Sequence, residues 1–334
     1  MARSRRFQTM VTAGRFTLPA TILVSAICWI VAAVLLPENV GKGTGSYPLW
    51  NILYDISLPA WANQFISFLL YGIIGFLLIG LNNTFAIIRM RASVQTAFYF
   101  LLITACPGMH HRLYAGDLAT VAFMAALYFL FHSYQRKRPE ADLLHSFTFI
   151  GLGSLLYPQL TLLAPIFWIG AYSFQSLNGR SFFASLVGWS VPYWFLFGHA
   201  FFYGEMELFY LPFRELTTFH PVLFSFRPEE AATLGYMFVL FAGCAGHCLA
   251  SGYEDKIRTR SYLQFLILLT FCLFIYIALQ PMLGIHLLPI LLVGVSILAG
   301  HLFVLTDNRG SNVFFICMLV GLFLLFGFNV WTLL

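Results

Sequence analysis

Unbroken apolar runs close to 20 residues long constrain this chain more than any other feature of its sequence. A helix that crosses the hydrocarbon core of a bilayer needs about 20 such residues, whereas a membrane β-barrel needs alternating segments of about ten. Only 9% of the 334 residues are charged and 60% are hydrophobic. Soluble domains carry charge on about a quarter of their residues. The sequence therefore predicts an all-α, polytopic helical membrane protein.

The apolar runs divide into single spans and one longer segment, residues 140–175, that is long enough for two short helices. No Gly/Ser-rich or Pro-rich linker separates them, so residues 1–334 are predicted to form a single integral membrane domain. The single spans are predicted at 16–36, 63–81, 94–106, 117–133, 183–202, 231–250, 262–280, 285–305 and 313–333.

The basic residues decide how the 140–175 segment folds, because Lys and Arg concentrate in cytoplasmic loops. Two basic loops, 136–138 and 256–260, should both be cytoplasmic, so an even number of crossings must separate them. The spans 183–202 and 231–250 lie between these loops and already make two crossings. The 140–175 segment must therefore cross twice or not at all. A hairpin that turns at Tyr157-Pro158, where proline interrupts a helix, satisfies this condition. The prediction is about eleven transmembrane helices with the N-terminus in the cytoplasm.

The net charge of +5 fits this topology rather than a nucleic-acid surface. Most of the 18 Lys and Arg residues fall in the predicted cytoplasmic loops. The exceptions are Lys42, Arg112, Arg214 and Arg227. The first apolar stretch is longer than the core of a cleavable signal and is predicted to be an uncleaved first span.

Groups capable of chemistry cluster on the predicted outer face. A carboxylate there could deprotonate an acceptor hydroxyl, an Arg could hold a phosphate, and aromatic side chains could hold a lipid tail or a sugar face. The alternative is that these are ordinary charges and interfacial aromatics of exposed loops. The candidate catalytic residues are Asp55 and Asp117, and the candidate substrate-binding residues are His110, His111, Arg112, Tyr210, Phe213, Arg214 and Arg227.

No metal and no cofactor is predicted. His110 and His111 lack a third ligand at a telling spacing, and His286 and His301 lack the second histidine pair that haem ligation across two leaflets needs. The segment AGCAGHC, with Cys244 and Cys248, is interpreted as a small-residue face for close helix packing rather than as a metal or redox site.

The stretch FTFIGLGSLLYPQLTLLAPIFWIGAYSFQSLNGRSFFASLVGWSVPYWFLFG, residues 147–198, carries a glycine-bearing helix, a Tyr-Pro break, a second helix and a polar turn. This pattern resembles a family of uncharacterised bacterial inner-membrane proteins that is distantly similar to GT-C glycosyltransferases and exopolysaccharide polymerase-like proteins. The resemblance implies a polyprenyl-phosphate-linked sugar donor, inverting transfer on the outer face, and Asp55 in the position of the catalytic carboxylate.

The leading hypothesis is thus a glycosyltransferase or polymerase-like enzyme of cell-envelope biogenesis in the bacterial inner membrane. Asp55 is the predicted general base, with Asp117 as the second choice. Membrane lipids, a polyprenyl-phosphate sugar and envelope proteins are the expected partners. One alternative is a non-enzymatic membrane scaffold or subunit of an envelope assembly complex. A transporter ranks third, because no span carries an acidic or basic residue in mid-membrane.

Overall fold

The computed structural model describes residues 7–36, 47–50, 59–88, 93–109, 113–217, 226–252 and 255–334. Long helices account for most of these residues, and short 3₁₀ turns cover Pro107–Met109, Pro158–Leu163 and Pro281–Leu283. The α-helices are α1 (Phe7–Thr12), α2 (Thr17–Leu35), α3 (Ala60–Phe85), α4 (Val94–Thr104), α5 (Ala115–His132), α6 (Glu140–Leu156), α7 (Ala164–Ser173), α8 (Gly179–Tyr203), α9 (Met206–Thr217), α10 (Pro228–Ala250), α11 (Ile257–Leu279), α12 (Gly284–Leu305) and α13 (Arg309–Leu333).

Seven helices in the described part of the chain are long and apolar enough to cross a membrane, namely α2, α3, α5, α10, α11, α12 and α13. This confirms the predicted class of a helical, multi-pass membrane protein. The other segments predicted to span fold as helices too, but α4, α6 and α7 are shorter and α8 is less apolar. The number of eleven spans and their orientation therefore remain predictions.

Helix α12 lies at the centre of the bundle. Of the 18 residues in its most apolar stretch, 89% are buried. Glycines let its neighbours come close: Gly294 faces Thr270 of α11, and Gly300 faces Gln95 of α4. In contrast, α2 and α13 are 17% and 28% buried by the same measure and lie at the periphery. The bundle is thus built around one helix that is apolar on every face.

The two basic loops of the sequence meet at one end of the bundle, called here the basic end. The hydroxyl of Tyr262, in the first turns of α11, donates to the carbonyl oxygen of Phe131 near the end of α5 at 2.9 Å. The Arg258 guanidinium lies over the Tyr134 ring at 5.9 Å. The segments 136–138 and 256–260 therefore share one end, as the even number of crossings requires.

The mid-chain segment forms a hairpin that turns at Tyr157-Pro158. Helix α6 ends at Leu156, Tyr157 is extended, and Pro158 begins the 3₁₀ turn that leads into α7. The two arms are antiparallel, since the rings of Phe147 and Trp168 stack with centroids 5.5 Å apart. Beyond α7, Phe174 packs on Phe131 at 5.8 Å, so the second arm returns to the basic end.

Helices α6 and α8 touch through their backbones. A Cβ atom added at Gly151 would lie 2.5 Å from the carbonyl oxygen of Trp189, and one added at Gly188 would collide with the carbonyl group of Leu144. Small residues at such crossings allow the close contact on which helix association in membranes depends. This contact fixes the hairpin against α8.

Helix α9 reverses onto α8 through Gly204, whose φ of +73° favours glycine. Phe209 packs on Phe197 and Phe213 packs on Tyr193, each with ring centroids 5.3 Å apart. Along these two contacts the residue numbers increase in α9 and decrease in α8, so the two helices are antiparallel. Helix α9 therefore folds back onto α8.

The α6–α8 contact predicts a sharp difference between two glycines of α8. Gly188→Ala should lower the free energy of unfolding by about 1–3 kcal/mol, because the added methyl group meets a backbone carbonyl that cannot move away. Gly198→Ala is the matched control, since nothing lies within 4 Å of a Cβ atom there. Thermal unfolding of both variants in the same detergent tests this, and equal midpoints would contradict the contact.

Candidate functional site

Asp117 is fully buried in the third position of α5. One carboxylate oxygen accepts a hydrogen bond from the Tyr71 hydroxyl at 2.6 Å, and the other accepts from the backbone N–H of Tyr114 at 2.9 Å. The second bond is half of a capping box, which satisfies a free N–H at the start of a helix. Asp117 therefore joins α3 to the start of α5, and it is not part of the lining of the pocket described below.

Next to Asp117 lies an aromatic cluster made of Tyr47, Tyr114, Tyr157 and His286, called here the His286 cluster. The His286 ring lies 5.1 Å from the Tyr157 ring, 5.8 Å from the Tyr114 ring and 6.1 Å from the Tyr47 ring, measured between centroids. His286 is 6% exposed. Burial raises the pKa of Tyr47 above its usual value, and the nearby Glu215 carboxylate and Tyr276 raise it further. This cluster closes the end of the bundle opposite the basic end.

A pocket opens at the same end, beside the His286 cluster. Its cavity volume is about 90 Å³. Its walls come from the turn after α4, the first turns of α10, the α11–α12 turn and the last turns of α13. The apolar wall residues include Met109, Leu234, Ile277, Ile285, Leu288 and Leu333. These residues form an apolar wall that a short aliphatic segment could contact.

Three charged side chains stand at the start of α10, where the pocket is lined by Arg227, Glu229 and Glu230. The Arg227 guanidinium donates to Glu230 at 2.7 and 3.0 Å and lies 3.4 Å from a Glu229 oxygen. Partial burial lowers the pKa of Arg227, but the hydrogen bond and charges of the two glutamates outweigh this, and the net shift is upward. Arg227 is therefore a permanent cation whose charge is already matched by carboxylates.

Asn329 supplies a buried polar group in the lining of the pocket. Its amide nitrogen donates to the carbonyl oxygen of Ala105 at 2.8 Å and to the Thr233 hydroxyl at 2.9 Å. Its amide oxygen is buried and has no hydrogen-bond partner among the described residues, although Asn329 is only 2% exposed. A buried acceptor without a donor is costly, so a donor from a bound molecule would stabilise this site.

The structure separates the site residues that the sequence groups together. Arg227 lines the pocket; Phe213 packs on Tyr193, and Tyr210 is 59% exposed on α9. Arg214 is also on α9 and is not part of the pocket lining. Asp117 caps α5. Asp55, His110, His111 and Arg112 lie outside the described residues.

Four further residues of the pocket lining emerge as site residues only from the fold: Glu229, Glu230, Thr233 and Asn329. Two signals pointed to them. A Pro-Glu-Glu segment begins α10, where a helix start collects polar groups, and Asn329 interrupts the last apolar run. A polar residue inside an apolar run is a functional candidate, but only the fold places Asn329 beside the start of α10.

Among the described residues, no group of three or more His, Cys, Asp and Glu side chains is placed to hold a metal ion. No protein-family model, curated protein sequence or solved structure matches this chain. The similarity to GT-C glycosyltransferases therefore stays a prediction, and a function for this protein has to be inferred from the geometry of the site.

The geometry of Asp117 predicts a structural role. Asp117→Asn should lower the free energy of unfolding by about 1–3 kcal/mol, because an amide NH₂ cannot accept one of the two hydrogen bonds and leaves a buried donor unpaired. Tyr71→Phe should also destabilise the protein, whereas Tyr210→Phe, at an exposed tyrosine, should change stability by less than about 0.5 kcal/mol. Thermal unfolding of the three variants measures this. An Asp117→Asn protein with unchanged stability and lost activity would instead support catalysis by Asp117.

Proposed function

We propose that this chain is a membrane glycosyltransferase-like enzyme that binds a lipid-linked saccharide in the pocket at the start of α10. One observation carries the proposal: the pocket combines apolar walls with a glutamate pair and the unpartnered amide oxygen of Asn329. Small-molecule sites are concave and mostly apolar, with a few placed polar groups, and this pocket fits that description.

The polar groups of the pocket favour a ligand that donates hydrogen bonds. Carboxylates and an amide oxygen are acceptors, and the two glutamates outnumber the single guanidinium that they hold. A phosphate would have to displace both glutamates from Arg227, whereas the hydroxyl groups of a sugar are donors. The pocket therefore suits the saccharide part of a lipid-linked acceptor, with its aliphatic chain against the apolar wall.

A base for glycosyl transfer is present at the same place. Glu229 is 14% exposed at its side chain and lines the pocket. Its carboxylate would take the proton of an acceptor hydroxyl as that oxygen attacks the anomeric carbon of the donor sugar. The bond from that carbon to the phosphate oxygen breaks, and the phosphate leaves with the electron pair. Glu229 thereby joins Asp55 as a candidate general base of the proposed reaction.

The membrane arrangement proposed with this function has eleven spans. Helices α2, α3, α4, α5, α6, α7, α8, α10, α11, α12 and α13 are the candidates. Helix α4 supports the inclusion of the shorter segments, since Phe98 packs on Phe303 of α12 while Cys106, just after α4, lines the pocket. The positive-inside rule would place the basic end in the cytoplasm of a bacterial inner membrane and the pocket on the outer face.

The proposal predicts a specific loss on replacing one carboxylate. Glu229→Gln should reduce sugar transfer by about 100-fold or more, because a general base contributes 10²–10⁴-fold to a rate. Glu207→Gln is the control, since Glu207 is exposed on α9 and does not line the pocket. The measurement is the mass of lipid-linked saccharides extracted from membranes of a strain that lacks the gene and expresses each variant.

Purified protein provides a second measurement that does not depend on catalysis. Native mass spectrometry of the full chain should detect a bound glycolipid, and Leu288→Trp, which fills the pocket, should remove it without lowering the unfolding midpoint. Full saccharide synthesis by Glu229→Gln would exclude Glu229 as the base. Equal glycolipid occupancy of the wild-type and Leu288→Trp proteins would exclude the pocket as the binding site.

A further inference from the structure

A second set of reactive side chains lies at the basic end, away from the pocket. The thiol of Cys248, in the last turn of α10, lies 3.5 Å from Nδ1 of His301 on α12. The other ring nitrogen of His301, Nε2, lies 3.0 Å from a carboxylate oxygen of Asp255. Thiol, imidazole and carboxylate thus form one continuous chain of contacts that three separate segments supply.

The order of these contacts is that of an activated nucleophile. The Asp255 carboxylate lies 3.0 Å from Nε2, and its negative charge favours the tautomer with the proton on Nε2, in which Nδ1 faces the thiol as a proton acceptor. A base in contact with a nucleophile, and held in turn by a third group, is the general arrangement of nucleophilic catalysis. The side chains of His301 and Asp255 are 3% and 4% exposed, so the pair is also shielded from water.

Other roles of this cluster find less support. Packing of the AGCAGHC segment is real, since a Cβ atom at Gly243 would lie 2.9 Å from the Phe314 ring, but packing needs neither His301 nor Asp255. No group among the described residues is placed to hold a metal ion. His247, the histidine of the same segment, contacts Ser251 rather than Cys248.

The surroundings of Cys248 indicate the kind of molecule that would react with it. Cys248 itself is 5% exposed, and the next residue, Leu249, is 62% exposed on a helix that is long and apolar enough to cross a membrane, where it would face acyl chains. Lys256 and Arg260, both exposed, follow Asp255 closely in the chain and present positive charge. A long-chain acyl thioester on a phosphate-bearing carrier offers both an apolar chain and negative charge.

We propose that Cys248 is an acyl-accepting thiol that is activated by the His301–Asp255 pair. Nδ1 of His301 takes the thiol proton, and the sulfur attacks the carbonyl carbon of the acyl thioester. The bond between that carbon and the sulfur of the carrier breaks, and the carrier thiolate leaves with its electron pair and takes the proton from the imidazolium. The products are a thioester on Cys248 and a free carrier thiol, with no net oxidation. This site does not depend on the function proposed for the pocket.

The test uses the full chain in lipid nanodiscs with alkyne-bearing palmitoyl-coenzyme A as the probe. Wild-type protein should acquire a hydroxylamine-sensitive label, and tandem mass spectrometry should locate it on Cys248. Cys248→Ala should remove the label. Cys244→Ala should keep it, and it is the matched control because Cys244 is a second buried thiol four residues earlier on the same helix. An unlabelled wild-type protein, or a label that persists in Cys248→Ala, would overturn the proposal.

The rate at which the label is acquired tests the roles of His301 and Asp255. His301→Gln should slow it by about 100-fold, which is the contribution of a general base. Asp255→Asn should slow it as well, and Asp255→Glu should restore part of the rate, since the carboxylate positions the imidazole. Equal rates in wild-type and His301→Gln proteins would contradict activation by His301.

A measurement on unaltered protein covers the case in which the variants do not fold. Limited alkylation of the wild-type chain with iodoacetamide should modify Cys248 before Cys244. Modification of Cys244 first, or of both at the same rate, would show that the His301 contact does not activate the thiol and would overturn the proposal.

Discussion

Every polar side chain inside this bundle must find its partner within the protein, because the hydrocarbon around it offers none. Several of the described polar side chains meet this demand with hydrogen bonds between helices. Gln95 of α4 donates to the carbonyl oxygen of Leu78 on α3 at 2.5 Å, and Gln8 of α1 donates to that of Phe303 on α12 at 2.8 Å. The hydrogen bond from the Tyr71 hydroxyl to the Asp117 carboxylate links α3 to α5 in the same way. Each such bond contributes only about 0.6 kcal/mol on average, but together they fix how the helices register against one another.

The same requirement explains why a few groups in the bundle draw functional interest. Where the interior satisfies a polar group fully, as at Asp117, the group has a structural explanation. Asn329 is one of several described residues with a buried polar atom that makes no hydrogen bond, Gln95 among them, but it is the one in that group that lines the pocket. The Cys248–His301–Asp255 chain differs in another way, because burying an imidazole and a carboxylate costs more than apolar packing in their place. Both features are easier to explain by chemistry than by stability.

The sequence predicted the helices well, since the apolar length of a span is a local property. The hairpin at Tyr157-Pro158 was also predictable, because charge in two loops limits the number of crossings between them. What the sequence could not provide was the register between helices. Asp117 looked like an outer-face carboxylate and is a buried helix cap, whereas Cys248 meets a histidine 53 residues away instead of the one beside it. Such pairs depend on how α10 and α12 rotate against each other, which hydropathy does not encode.

Helix α10 carries both candidate sites, with Glu229 in its first turn and Cys248 in its last. At 1.5 Å per residue they lie about 30 Å apart along the axis, far beyond the distance of direct contact. A group attached at Cys248 therefore cannot take part in chemistry at the pocket directly. It could reach the pocket only by moving α10 as a rigid body, and α10 packs along α12 and α13, the helices that complete the pocket wall. A link between the two ends would consequently change the shape of the pocket rather than its charge.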